Sequence, residues 1–166
     1  MAMAMAGCSR EEAVVARVNG QPIDRGAYEA EVGKELGRQR RQRPELKAGI
    51  EERIRETVLR RMVEDELIAQ KAKALGLQGN AARGRDAFEA WRAARFPTPA
   101  QWAEYLERTG HTEATLREEQ RRNALREEVL EAVARSLSPP GDRRDALDRL
   151  QREARVEMPA QPVGKR

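Results

Sequence analysis

Two short stretches decide how this chain reads: Val14-Val15-Ala16-Arg17-Val18-Asn19-Gly20-Gln21-Pro22-Ile23 near its start and Ala154-Arg155-Val156-Glu157-Met158 near its end. In the first, Val14, Ala16 and Val18 alternate with Val15 and Arg17, a period-two pattern with one face more polar than the other. Asn19-Gly20 follows, and both residue types tolerate the positive φ of a type I′ turn, so the stretch predicts a β-hairpin. A lone hairpin is only marginally stable in water and needs another strand or a helix to cover it. The second stretch supplies a candidate: Val156 and Met158 alternate as a terminal strand.

Between these brackets the pattern is helical. Asp24 caps a first helix over about 25–42, with Tyr28, Val32 and Leu36 at steps of four and Gly26, Gly33 and Gly37 weakening it. A second helix over about 45–75 carries Leu46, Ile50, Ile54, Val58 and Met62 on one ridge, with Leu59, Val63 and Leu67 beside it, and stops at Gly76. Its span would be roughly 45 Å at 1.5 Å per residue, which suits an elongated body. A third helix over about 81–95 has Phe88 and Trp91 on one side and is broken by Phe96-Pro97. Thr98-Pro99-Ala100-Gln101 is a capping box with Pro at the first helical position, opening a short helix with Trp102, Tyr105 and Leu106 on one face up to Gly110. A long helix over about 113–137 is capped by Thr112 and carries Leu116, Leu125, Val129, Val133 and Leu137. Ser138-Pro139-Pro140-Gly141 stops it, and Asp142 caps a last helix through about Glu153 with Ala146, Leu147 and Leu150 inward. The expected organisation is a tail over 1–12, one body over 13–158 and a tail over 159–166. The expected fold is mainly α, with a small β-hairpin joined by the C-terminal strand.

Composition agrees with long, solvent-laced helices. Of 166 residues, 36% are charged and only 4% aromatic, so the core is mostly aliphatic. The formal net charge of +4 is spread along the chain. Its densest basic cluster, Arg38, Arg40, Arg41 and Arg43, reads as the polar end of a helix, since no base-stacking aromatics or recognition motif accompany it. No stretch reaches the 18 or so apolar residues of a membrane span.

The single cysteine excludes an internal disulfide, but Met5-Ala6-Gly7-Cys8-Ser9 looks like the end of a bacterial lipoprotein signal, with Cys8 the acylated residue. Met5 stands where Leu is usual, and Met1–Ala6 supply neither a charged n-region nor a full apolar h-region. The expectation is an upstream signal not contained in this sequence, or a misplaced start; a Cys without function in a tail is the other reading. A lipidated Cys8 would tether an exported protein to a membrane without a spanning helix.

In order and spacing, three segments resemble the N-terminal chaperone domain of the SurA and PrsA group, related in fold to the trigger factor substrate-binding domain. They are the Val15–Ile23 opening, the Val58–Leu77 helix, and Phe96–Val133 with residues 105–130, YLERTGHTEATLREEQRRNALREEVL. The closing Ala146–Met158 is similar to the helix and strand that return to this domain in such proteins. In full-length relatives, parvulin-type isomerase domains precede that return; here Ser138–Asp142 connects directly, and no segment remains for one. The resemblance therefore implies a chaperone without isomerase activity.

Its implied partners are unfolded polypeptides or outer-membrane protein clients, in the periplasm or cell envelope, with no cofactor, no metal and no nucleic acid. Candidate client contacts are Tyr28, Met62, Trp91, Phe96, Trp102 and Tyr105, because large or pliable apolar side chains suit promiscuous contact. An aromatic stripe at helical spacing is also how a core looks, and both readings stand. Catalysis finds no support: Glu64, Asp65 and Glu66 fan around a helix, and His111 lacks a second ligand for a metal site of normal count. A dedicated assembly subunit of an envelope or secretion complex is the alternative to a general holdase. If the last helix fails to fold back across the short Pro-Pro link, it pairs with a neighbour's hairpin in a swapped dimer.

Overall fold

The computed structural model describes residues 13–42, 45, 48–79 and 81–158. Cys8, Arg43, Pro44 and Leu46, and both tails, lie outside the described residues. Two strands come first, β1 (Val14–Val18) and β2 (Gln21–Asp24). Six helices follow: α1 (Arg25–Gln42), α2 (Ile50–Ala74), α3 (Ala81–Arg95), α4 (Pro99–Thr109), α5 (Glu113–Ser136) and α6 (Arg143–Glu153). Strand β3 (Val156–Glu157) is last. The chain is mainly α with a small antiparallel sheet. Two compact units divide it: Ile68–Leu150 is one, and the residues up to Leu67 with those from Gln151 form the other.

In the first unit the sheet order is β2-β1-β3. The hairpin turns as its sequence dictates, with Asn19 at φ 50° and Gly20 at φ 85°. The closing strand lies on its own chain's hairpin, Arg17 opposite Glu157 and Val18 opposite Val156. Asn19 clamps it through both backbone groups of Arg155: the Asn19 N–H donates to the Arg155 carbonyl at 2.8 Å, and Asn19 Oδ1 accepts from the Arg155 N–H at 2.8 Å. Within the single chain, the last helix and strand thus fold back onto their own hairpin across the Pro-Pro link.

Strand β1 differs from its predicted alternation. Val14, Val15, Ala16 and Val18 are all buried, and Arg17 alone is half-buried. As the central strand it is covered on both faces, and an irregularity between Val14 and Ala16 shifts its register against β2. Val15, Ala16 and Val18 join Ile23, Tyr28 and Val32 of the hairpin and α1, and Ile54, Val58 and Leu67 of α2, in one core. Helix α2 also starts later than its apolar spacing predicts. Gly49 takes φ 77°, and the helix runs 25 residues from Ile50, about 37 Å rather than 45 Å.

The second unit has its own aliphatic core, where Ile68 and Ala72 of α2 meet Val129, Leu130, Val133 and Ala134 of α5 and Ala146 and Leu150 of α6. The hard stop after α5 is closed by the Gly141 N–H donating to the Ala134 carbonyl at 3.2 Å. Asp142 caps α6 as its sequence predicts, its Oδ1 accepting from the Arg144 and Asp145 N–H groups. A separate cluster, aromatic rather than aliphatic, forms on α3, α4 and the start of α5.

Candidate functional site: an aromatic cluster on two helices

The chain has two Trp, two Tyr and two Phe, and five of these six rings stand together in the second unit. Local sequence places them. Phe88 and Trp91 are three apart on α3, so they share a face. Pro97 then ends that helix, and Thr98 begins the next: its hydroxyl accepts from the Gln101 N–H, and Gln101 Oε1 accepts from the Thr98 N–H. The break leaves Phe96 between the two helices. Trp102, Tyr105 and Leu106 share one face of α4 until Gly110 at φ 70° closes it.

Phe88 is the centre, 1% exposed, with Trp102 at 7% and Leu116 of α5 at 3% beside it. Trp91, Phe96 and Tyr105 are half-buried. Phe96 lies 4.6 Å from Tyr105 and 5.3 Å from Trp102 between ring centroids, and Trp91 meets Phe96 edge-on at 5.6 Å. Trp102 stacks on Tyr105 at 5.8 Å, and Tyr105 carries His111 stacked at 6.5 Å. The one polar atom of Trp102 is satisfied, since its Nε1–H donates to Glu113 Oε2 at 3.3 Å.

Arginines cover the ring faces. Arg92 lies over Trp102 at 5.4 Å, Arg117 over Phe88 at 5.1 Å and Arg108 over Tyr105 at 6.0 Å. Arg117 is also held by Glu113 at 2.6 Å and Glu89 at 3.4 Å. Farther along α5, the hydrogen bond from Arg121 holds the Glu118 carboxyl below its ordinary range, more than offsetting an upward push from burial.

The six candidate contact residues therefore separate. Trp91, Phe96 and Tyr105 form a half-buried aromatic rim, and Trp102 sits beneath it as a packed interior ring. Tyr28 and Met62 belong to the core of the first unit. There Tyr28 is buried, and its hydroxyl donates to the Arg55 carbonyl at 3.2 Å. Residue spacing puts Phe88 beside Trp91 but gives no sign that it is the deepest ring. That follows from α3 packing on α5, where a Cβ on Gly84 would stand 3.1 Å from Arg121 Cα. The open concavity of about 520 Å³ lined by Ala134, Gly141 and five charged residues from Glu131 to Arg144 contains none of the candidate residues.

Among the described residues, no group of His, Cys, Asp and Glu is arranged to hold a metal ion, and no helix is long and apolar enough to cross a membrane. Compared with known proteins, residues 2–130 match the family described as the SurA-like N-terminal domain. That match takes in the hairpin, α1 to α4 and most of α5, and therefore the whole aromatic cluster. No curated protein and no solved structure matches the chain.

Proposed function

The chain belongs to the family of SurA-like N-terminal domains, and on that premise we propose that it is an ATP-independent holdase that binds unfolded or outer-membrane-bound polypeptides. The family's domain is the chaperone part of its proteins rather than a catalytic part, and the family is periplasmic and associated with unfolded clients. The observation that carries the reading is the aromatic cluster: five rings gathered at one place in a chain that has only one other. Three of them keep part of their surface in solvent.

The physical logic is that of a reversible apolar surface. Phe88, Trp102 and Leu116 anchor the cluster, so the rim of Trp91, Phe96 and Tyr105 is held in place before a client arrives, and little ordering entropy is lost on binding. Aromatic rings offer large contact area to many side-chain types, which suits clients without a common sequence. The arginines over the ring faces keep the empty site hydrated at its edge and let the client leave. Tyr28, with its hydroxyl spent on a backbone carbonyl, and Met62 serve the fold of the first unit. In this reading the protein works in the cell envelope, and acylation of Cys8 would tether it there.

The test is dilution of a chemically unfolded outer-membrane protein, followed by light scattering, with this protein and without ATP. Suppression near a one-to-one ratio is expected from the intact protein. Loss of suppression is expected from Phe96→Ala, provided thermal melts show it folded. A folded protein that never suppresses aggregation, but captures one folded envelope partner, is instead a dedicated assembly subunit.

A further inference from the structure

The aromatic rim has a charge pattern that selects among clients. Arg95 is four residues beyond Trp91 and three beyond Arg92, so it extends the cluster-bearing face of α3 toward Phe96. It is exposed, and among the described residues it has no ion-pair or hydrogen-bond partner. Arg108 is also exposed, and among the described residues it has no ion-pair or hydrogen-bond partner and lies over the Tyr105 ring. It lies over that ring instead of pairing with Glu104, four residues earlier on the same helix.

Nearby carboxylates do not offset these two cations. Glu89 is engaged by Arg92 and Arg117, and Glu113 by Arg117 and the Trp102 N–H. Glu104 and Glu107 are exposed, but at 100° per residue they leave α4 about 100° and 160° from Tyr105, whereas Arg108 leaves about 60° from it and lies over its ring at 6.0 Å. The uncommitted charge beside the rings is therefore positive, although charge over α3 and α4 as a whole is nearly balanced.

We propose that this rim is a docking surface for extended, acidic polypeptide segments in which an apolar or aromatic residue is flanked by Asp or Glu. The ring surface takes the apolar residue, and Arg95 and Arg108 take the flanking carboxylates as exposed ion pairs. This rests on the holdase reading and adds a preference to it. Exposed pairs contribute little each, so the preference is modest: about fivefold for the two together at low salt. It fades as salt screens the pairs.

The experiment uses the full chain and three synthetic peptides without Trp, identical in their Phe and Leu positions and flanked by Asp, Ser or Lys. Both tryptophans of the chain, Trp91 and Trp102, stand in the cluster, so their emission reads binding at this site. The Asp-flanked peptide is expected to bind about fivefold tighter than the Ser-flanked one, and the Lys-flanked peptide weakest. In R95Q/R108Q, shown folded by far-UV circular dichroism, the Asp-flanked peptide is expected to fall to the Ser-flanked affinity. Equal affinity for Asp and Ser peptides, or an advantage that survives in R95Q/R108Q, overturns the charge preference while leaving the holdase reading intact. No emission change with any peptide overturns both.

Discussion

Replacing Trp102 with Ala tests whether this ring supports the site or belongs to its contact surface. Trp102 is 7% exposed and has four aromatic neighbours between 5.3 and 6.1 Å, so the substitution removes a packed interior ring. A buried Trp hides roughly 200 Å² of surface, which at about 25 cal/mol per Å² is some 5 kcal/mol. Partial collapse of the cavity brings this into the usual range for a buried aromatic, and we expect about 4 kcal/mol. The lost N–H adds little, because Glu113 keeps Arg117 as a partner. Trp102→Phe keeps one ring in the stack and leaves a smaller cavity, so it is expected to cost about 1.5 kcal/mol. Phe96→Ala, at a half-buried ring, is expected to cost about 2 kcal/mol. Urea unfolding followed by ellipticity at 222 nm orders the three variants without relying on Trp emission. A cost for Trp102→Ala below that of Phe96→Ala would refute the division of the cluster into interior and rim.

Other variants probe the elements that place the site. Gly33 lies exposed in the interior of α1, and a Cβ there would meet no atom within 4 Å, so Gly33→Ala should stabilise by about 0.8 kcal/mol. Gly84→Ala should destabilise despite better helix propensity, because its Cβ meets the Arg121 backbone at 3.1 Å, and paired thermal melts read the opposite signs. Asn19→Gly keeps the positive φ but removes the Oδ1 acceptor, so the Arg155 amide should exchange faster, with a loss of about 1 kcal/mol. The depressed Glu118 carboxyl contributes stability that is complete above the ordinary carboxylate range and is lost as pH falls through its lowered midpoint. Arg121→Gln should move that midpoint up in a carboxyl NMR titration.

Local chemistry is legible in this chain and long-range placement is not. The Asn19-Gly20 turn, the Thr98–Gln101 capping box and the bounds of α1 follow from backbone preferences of a few residues, and the structure has each where the sequence puts it. Apolar spacing overshoots the start of α2 because it continues back to Leu46, whereas Gly49 takes a left-handed conformation and the helix begins at Ile50. Alternation puts Val15 on a more polar face because it describes a strand with one covered side, and β1 is covered on both. In the site, periodicity identifies which rings share a helix face. It cannot reveal that Tyr28 and Met62 pack in another unit, or that Phe88 is deepest, because both depend on which face meets which.

Hydrogen exchange of the full chain, with and without an unfolded outer-membrane polypeptide, shows where a client sits. If clients bind the aromatic rim, added protection is expected at the end of α3, through Phe96–Thr98, and along α4. Protection confined to the hairpin, α1 and β3, with none at the aromatic cluster, would contradict it.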